Sequence, residues 1–270
     1  MSKEYSLSLP TVSNFEVRYY FSKAPQVYTA RRFPTHMHDA LEVYVLLEGD
    51  ASFVVESSLY HPRSGDVILT KPNEIHNCVL NTDSVHRHLC FWIDASVGEI
   101  FGELLQHDFG KGNLISPARA DRERLFALYD RLYEATVKED KRCSFYLFLE
   151  ILDILSKNID NTHAPQAIPA ELKEILADID KSFLAIESLD YFTERFFVSR
   201  STLGRLFRTY LHVTPGQYLE AKRLAHSRVL LKKGKSVLAA CMESGFSNPS
   251  NYIRLFKKRF GITPGEYRNS

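Results

Sequence analysis

The chain has 270 residues, of which 44% are hydrophobic and 25% charged, and its formal net charge is +1. This composition is ordinary for a globular protein and excludes a disordered or fibrous chain, and the length suits two domains that each bury a core. No apolar run approaches the roughly 18 residues of a membrane span and the start lacks a secretory signal, so we expect a cytoplasmic protein. The four cysteines form no paired motif, so neither a disulfide framework nor a cysteine zinc site is predicted.

Charge is divided unevenly along the chain. Residues 189–270 carry fifteen Lys or Arg and five Asp or Glu, an excess of +10, and the rest of the chain carries −9. Lys and Arg release counterions when they neutralise phosphates, so a basic C-terminal segment favours a polyanion partner. A solvated basic surface without a partner is the alternative that charge alone leaves open.

The first part of the chain, to about residue 94, is predicted to form strands. Short β-rich runs bounded by Gly, Pro, Asn or Asp cover residues 41–49, 51–57, 65–72 and 86–93. Their close spacing predicts a small antiparallel barrel or sandwich.

Four polar residues in this region form a candidate site. His36, His38 and Glu42 share parity and would lie on one face of a strand, with His76 on another strand. Three imidazoles and a carboxylate can hold a divalent metal ion, but the same groups can hydrogen-bond a small-molecule effector or only one another. We expect no ligand at His61 or at His86 and His88, which alternate along a strand taken to be exposed.

From residue 121 the apolar spacing becomes helical. Two helices, within residues 124–135 and 145–159, are expected to form an antiparallel pair. The second is apolar enough either to pack only within its own subunit or to contact a second subunit as well, which would give a homodimer. Residues 161–170 contain two prolines and no apolar period and are predicted to be a linker, so the predicted domains are 1–160 and 171–270.

The second domain contains an internal repeat. The runs Arg-Leu-Phe and Thr-Pro-Gly occur at residues 205–207 and 214–216, and again at 254–256 and 263–265, at a constant offset of 49. A register without gaps indicates a duplication.

Each copy of the repeat predicts a short helix, a turn and an amphipathic basic helix. Ser199 and Asn248 are predicted to cap the two basic helices, and Thr214 a long helix between the copies that ends near Gly234. This order is that of the helix-turn-helix motif, in which the second helix enters the major groove of DNA. A plain helical bundle with a charged surface is the alternative.

The segment 189–268 resembles the AraC family of bacterial transcription regulators. The resemblance is carried by GFSNPSNYIRLFKKRFGITPGEYR (residues 245–268) and by Arg223-Leu224 followed by Leu230-Leu231. The histidine and glutamate spacing of the first domain is similar to the two cupin motifs. Together they imply an α+β chain: an N-terminal antiparallel cupin-like β-barrel with helices, then an all-α domain of two helix-turn-helix motifs joined by a long helix.

The resemblance also implies residue roles. Base-contacting candidates are Ser201, Thr202 and Arg205 in the first recognition helix and Ser250, Asn251, Ile253 and Arg254 in the second. Arg208, Lys257 and Lys258 suit phosphates. Gly204 has no side chain to contact a base, so the first helix is expected to read fewer bases. In such regulators the barrel generally senses a small molecule and often holds no metal.

Three functions follow as hypotheses. The leading one is a sequence-specific, double-stranded-DNA-binding regulator, not an enzyme, in which an effector in the barrel changes either promoter binding or contact with RNA polymerase. The second is a metal-dependent cupin dioxygenase or isomerase that uses His36, His38, Glu42 and His76. The third is a constitutive DNA-binding protein whose barrel only dimerises.

Overall fold

The computed structural model describes residues 4–8, 16–21, 26–27, 35–81, 85–94, 96, 98 and 100–269. The chain divides into two compact units, Met1–Gln166 and Ala167–Ser270. No helix within the described ranges is both long enough and apolar enough to cross a membrane.

The first unit consists of strands followed by two helices. The strands are β1 (Glu4–Ser8), β2 (Glu16–Phe21), β3 (Gln26–Val27), β4 (Ala40–Glu48), β5 (Ala51–Val55), β6 (Ser58–Tyr60), β7 (Val67–Thr70), β8 (His76–Leu80), β9 (Val85–Asp94) and β10 (Leu114–Ile115). A 3-10 helix, Gly102–Leu105, precedes β10, and α1 (Arg119–Val137) and α2 (Lys141–Lys157) follow it. The predicted helix pair is therefore confirmed.

The strands pair antiparallel in two sheets. The larger has the order β1-β2-β9-β4-β7-β10, with β3 also on β9, and the smaller has the order β6-β5-β8. The predicted α+β class with an N-terminal antiparallel β domain is confirmed, but the described strands form two facing sheets instead of one closed ring.

Strand parity separates two cores in this unit. Val43 and Phe91 lie on the outer face of the larger sheet and pack with the α1–α2 pair, where the Phe91 and Phe148 rings are 5.5 Å apart. Tyr44 and Leu46 point the other way and meet Phe53 of the smaller sheet. The space between the sheets is therefore lined by the even-numbered residues of β4 and β9.

The segment after α2 pairs with the first unit. Thr162 forms an isolated antiparallel bridge with Ile115, and Gln166 forms one with Leu59. The next helix begins at Ala170.

The second unit is helical, as predicted. It consists of α3 (Ala170–Ser182), α4 (Asp190–Arg195), α5 (Arg200–Leu211), α6 (Pro215–Lys232), α7 (Val237–Glu243), α8 (Pro249–Phe260) and α9 (Pro264–Asn269). Thr214 and Gln217 form a reciprocal capping box at the start of α6, because each side chain bonds the backbone N–H of the other. The two copies of the repeat are therefore α4–α5 and α7–α8, joined by α6.

Candidate DNA interface and ligand site

The helices α5 and α8 begin at side-chain caps. Ser199 Oγ accepts a hydrogen bond from the Thr202 N–H at 3.0 Å, and Asn248 Oδ1 accepts one from the Asn251 N–H at 3.0 Å. Pro249 occupies the first turn of α8, where a missing N–H costs nothing. These local signals fix the start of each helix, and thereby which side chains occupy its first two turns.

Each of these helices has one buried apolar stripe and one exposed polar face. Leu203 and Phe207 of α5 are buried, as are Tyr252 and Phe256 of α8. The predicted DNA-contacting residues lie on the exposed faces, with only Thr202 half-buried: Ser201, Arg205, Arg208, Ser250, Asn251, Ile253, Arg254, Lys257 and Lys258. The described residues of the second unit leave both exposed faces open to a partner.

The exposed face of α8 contains a preformed polar pair. Arg254 Nη2 donates a hydrogen bond to Asn251 Oδ1 at 2.7 Å. The bond occupies one of five guanidinium donors and holds the long Arg254 side chain beside the shorter amide. In α5 the short polar groups instead bond to the cap, because Ser199 Oγ lies 2.8 Å from Ser201 Oγ and 2.9 Å from Thr202 Oγ1.

Arg223 of the long helix α6 joins the segment between α3 and α4 and packs against the turn that precedes α8. Arg223 donates to the carbonyl oxygens of Phe183 and Ile186, at 3.1 and 2.5 Å. Gly245, in the turn after α7, has a φ of +80°, and a Cβ there would lie 2.9 Å from Arg223 Nε. Glycine suits this position, because a side chain on the left-handed backbone would be strained and would also lie too close to the guanidinium.

The end of α8 is also held against α6. The Arg228 guanidinium is buried over the rings of Phe260 and Tyr267, at 4.9 and 5.1 Å from the ring centres. Such desolvated cation–π contacts contribute on the order of 2 kcal/mol. Arg228 is therefore a packing residue, and the basic residues free to meet DNA are on the opposite side of α8.

In the first unit, the four predicted polar residues do come together. The candidate ligating atoms of His36, His38, Glu42 and His76 all lie within 4.8 Å of one another. His36 and His38 precede β4, so an antiparallel bridge between His36 and His76 brings them together, not the parity of one strand. We call these four residues the His–Glu cluster.

Two imidazoles of the His–Glu cluster have their orientation fixed by the backbone. Nδ1 of His38 lies 2.9 Å from the Ala40 carbonyl oxygen, and Nδ1 of His76 lies 2.9 Å from that of Glu74. Each Nδ1 therefore carries a proton, so in the neutral rings Nε2 has a lone pair. Both Nε2 atoms face Glu42 Oε2, at 2.6 Å from His38 and 3.4 Å from His76.

Two imidazole Nε2 lone pairs therefore face a carboxylate oxygen, and this arrangement requires a proton or a metal cation between these acceptors. His76 Nε2 is buried, and its 3.4 Å contact with Glu42 Oε2 is long for a hydrogen bond. A proton on each ring satisfies the geometry, and so does a divalent transition metal bound by imidazole and carboxylate. The residues present therefore fit a metal ion, with the two backbone carbonyls as its outer support.

The charges of the His–Glu cluster are coupled. Burial raises the pKa of the Glu42 carboxyl, but attraction to His76 and hydrogen bonds from His38 and His76 outweigh it and hold the pKa well below its usual range. Burial lowers the pKa of His76, and its interactions with Glu42 reverse the effect and raise the pKa. Without a metal ion, both shifts favour an ion pair between the Glu42 carboxylate and a His76 imidazolium.

Sequence reasoning missed the neighbours of this cluster. Trp92 Nε1 donates to Glu42 Oε2 at 2.8 Å, and Tyr44 Oη lies 2.7 Å from His86 Nε2. The Tyr44 ring is stacked on that of His88, with centroids 5.0 Å apart. The expectation that His86 and His88 lie on an exposed face was wrong, since they are 1% and 5% exposed. Parity was the available signal, because Trp92, His88 and His86 share one face of β9.

Comparisons with known proteins match both units. Residues 21–152 match the model of the AraC-like ligand binding domain, and residues 192–270 match that of a helix-turn-helix domain. The chain is 22% identical over 267 residues to the HTH-type transcriptional activator RhaR of Mannheimia succiniciproducens, covering 93% of this chain and 94% of the relative. It is 25% identical over 246 residues to the activator RhaS of Escherichia fergusonii, covering 87% of each.

A solved structure also aligns with most of the chain. The fatty-acid-bound ToxT of Vibrio cholerae is 17% identical, with a TM-score of 0.38, over 94% of each chain.

The two units together define a DNA-binding transcription regulator with a ligand-binding domain. Two capped helix-turn-helix units with basic outer faces follow an antiparallel β domain that holds a polar cluster with a buried carboxylate. The chain belongs to the AraC family of transcription regulators. This confirms the resemblance on which the leading hypothesis rested.

Proposed function

We propose that this regulator reads two adjacent major-groove segments with α5 and α8, and that α8 makes the richer base contacts. The observation that carries the proposal is the preformed Arg254–Asn251 pair on an exposed helix face. Arginine pairs with guanine O6 and N7, and asparagine with adenine N6 and N7. Ser250 and Ile253 flank this pair.

In α5 the base contact depends mainly on Arg205, with Ser201 and Thr202 beside it. Arg208, Lys257 and Lys258 are exposed and suit phosphates, which position the protein on the duplex.

The His–Glu cluster is the proposed ligand-recognising end of the first unit. Glu42 and His76 are buried, His36 and His38 are half-buried, and Trp92 supports Glu42. A ligand group that hydrogen-bonds to the imidazoles and the carboxylate, or a cation that balances the carboxylate, would therefore be bound selectively. Two chemistries meet this description: direct hydrogen bonds from effector to imidazole and carboxylate, or a divalent metal ion that the four side chains hold.

The enzymatic alternative rests on the same four side chains. We propose that the chain is not an enzyme, because its curated relatives are transcription regulators and because an enzyme has no need of a duplicated basic DNA-binding unit. A regulator needs access to the chromosome, which supports a cytoplasmic location, and RNA polymerase is its expected second partner.

A homodimer is proposed as the working assembly. Most apolar residues of α2, including Phe148 and Ile151, are buried within the subunit. Tyr146 is 65% exposed and Val137, at the end of α1, is 56% exposed. These two side chains are the proposed contacts, and sedimentation of a Tyr146→Glu variant tests them.

Selection of binding sites from random duplex DNA by the full chain tests the DNA proposal. The expected result is an enriched sequence with two sub-sites one helical turn apart, about 34 Å. Enrichment of no sequence, at a salt concentration where the chain still binds DNA, would contradict base reading.

Metal analysis of the purified full chain tests the first unit. Stoichiometric metal that is lost in a His76→Gln variant would support a metal ion held by the cluster, and absence of metal in both would favour direct hydrogen bonds to an effector. The matched control is His163→Gln, an exposed histidine outside the cluster. Metal accompanied by turnover of a substrate would support the enzymatic alternative.

A further inference from the structure

A cavity lies in the first unit and shares no residue with the His–Glu cluster. It has a volume of about 350 Å³, within the range of small-molecule sites. We call it the linker cleft, and its polar lining includes His61, Arg63, Asp66, Arg122, His163 and Gln166.

The carboxylate of the linker cleft is fully used by the protein. Asp66 Oδ1 accepts from Arg122 Nη2 at 2.9 Å and from Ser116 Oγ at 2.7 Å. Asp66 Oδ2 accepts from the Arg63 backbone N–H at 2.7 Å. Asp66 is buried, so it orients Arg122 and neutralises one positive charge, and it does not offer a free oxygen to a cation.

Positive charge remains after this pairing. The Arg63 guanidinium is exposed and forms no ion pair within the part of the chain that the structure describes. Arg122 Nε is buried and has no hydrogen-bond partner among those same residues. The cleft therefore has one uncompensated guanidinium, that of Arg63, beside a carboxylate whose two oxygens both accept hydrogen bonds. The unused Arg122 N–H is buried behind this surface.

We propose that the linker cleft binds a small organic anion, a carboxylate or a phosphate ester. Guanidinium groups form short charge-assisted hydrogen bonds to both kinds of oxygen. Leu114 and Ala164 supply an apolar surface for the body of the ligand. His61 lies 2.5 Å from Gln166 Oε1 through Nε2 and 3.0 Å from Ser52 Oγ through Nδ1, so one rim of the cleft is already ordered.

The cleft is lined by the segment that connects the two units, so a ligand there can influence the DNA-binding unit. His163, Ala164 and Gln166 line it, and they end the first unit immediately before the second begins at Ala167. The Gln166 N–H donates to the Leu59 carbonyl at 2.6 Å, and the His163 N–H to that of Leu114 at 3.0 Å. A bound anion thus contacts the segment that leads directly into the DNA-binding unit.

Calorimetry and hydrogen exchange on the full chain test this site. The probes are inorganic phosphate and 3-phosphoglycerate at constant ionic strength, with glycerol as the uncharged control. Because phosphate also binds basic recognition helices, exchange must locate the ligand. The expected result is slower exchange in residues 61–66 and 162–166 with the anions and not with glycerol.

Two arginine variants distinguish anion binding in the linker cleft from a general effect of positive surface charge. Arg63→Ala should weaken binding by about tenfold or more, since it removes a charge-assisted contact and leaves the Asp66 network intact. Arg119→Ala removes the same charge from a 94% exposed side chain on α1 and should have no effect. Equal effects of the two variants, protection confined to residues 200–258, or equal protection by glycerol would each overturn the proposal. None of these outcomes bears on DNA reading, which the binding-site selection tests separately.

Discussion

At the scale of single residues, Arg254 is the side chain on which the proposed base reading chiefly depends. Arg254→Ala should lower the affinity for the selected site by about 1–3 kcal/mol and relax one base position, because a bidentate guanine contact is lost.

Lys257→Ala, one turn further along the same exposed face, removes a phosphate contact. It should weaken all sequences alike and reduce the slope of log affinity against log salt by about one.

Titration of both variants against selected and scrambled duplexes at several salt concentrations measures these effects. If Arg254→Ala weakened both duplexes equally, Arg254 would be a phosphate contact.

Gly204 has a structural explanation that the sequence did not suggest. A Cβ at this position would lie 3.4 Å from Arg208 Nη1, so the Arg208 side chain extends back over Gly204 toward the start of α5. Gly204→Ala should raise the free energy of unfolding by up to about 1 kcal/mol, because alanine is the better helix former and 3.4 Å is an ordinary contact.

Urea unfolding, followed by circular dichroism at 222 nm, measures this stability, and DNA affinity should be unchanged in Gly204→Ala. Gly204→Leu provides the contrast, because its longer side chain occupies the place of the Arg208 guanidinium and should weaken DNA binding. Equal DNA affinities for the alanine and leucine variants would show that the position of Arg208 is irrelevant.

At the scale of elements, the buried face shared by β4 and β9 should make stability depend on pH. Burial lowers the pKa of His86 to about 4. Burial, and then the charge of His86, lower the pKa of His88 to about 3. Both values are below the unfolded value of about 6.5, so the unfolded chain binds protons that the folded chain rejects.

Stability from these histidines is complete above about pH 6.5 and falls as the pH decreases toward 4, by up to about 1.4 kcal/mol per pH unit for each. Urea unfolding followed by the fluorescence of Trp92, the only tryptophan, measures it. His88→Phe retains the ring that stacks on Tyr44 and should flatten the slope. A slope unchanged in His88→Phe would contradict the assignment.

Local and long-range features of the elements were predictable to different degrees. The caps Ser199, Thr214 and Asn248 could be predicted because a cap bonds an N–H only three residues away. The hydrogen bond from Trp92 to Glu42 joins residues 50 apart, and it depends on the β4–β9 register. Side-chain parity was visible in the sequence, but which strands are neighbours was not, so His86 and His88 were placed on the wrong side.

At the scale of the whole molecule, the division of charge matches the division into units. The second unit, which contains both recognition helices, carries seventeen Lys or Arg and ten Asp or Glu, an excess of +7, and the first unit carries −6. Phosphate neutralisation drives association, so the acidic remainder limits binding of DNA to one part of the molecule.

The helix α6 connects the two recognition helices rigidly, and this connection predicts how the spacing of the DNA sub-sites affects affinity. The helix α6 is capped at its start and joined by Arg223 and Arg228 to the elements around it, so the spacing of α5 and α8 is fixed within one unit. Insertion of five base pairs between the sub-sites of the selected DNA should remove the contribution of one helix. Insertion of ten base pairs should not restore it, because α6 cannot lengthen even though the groove again faces the protein.

Band-shift titration with the three duplexes measures this, and Arg254→Ala supplies the control. On the parent duplex the variant should lose affinity, and on both inserted duplexes it should equal the wild type if α8 has lost its sub-site. Recovery of affinity with ten inserted base pairs would mean that the two helices move independently. In that case, dimer geometry and not α6 would set the length of the site.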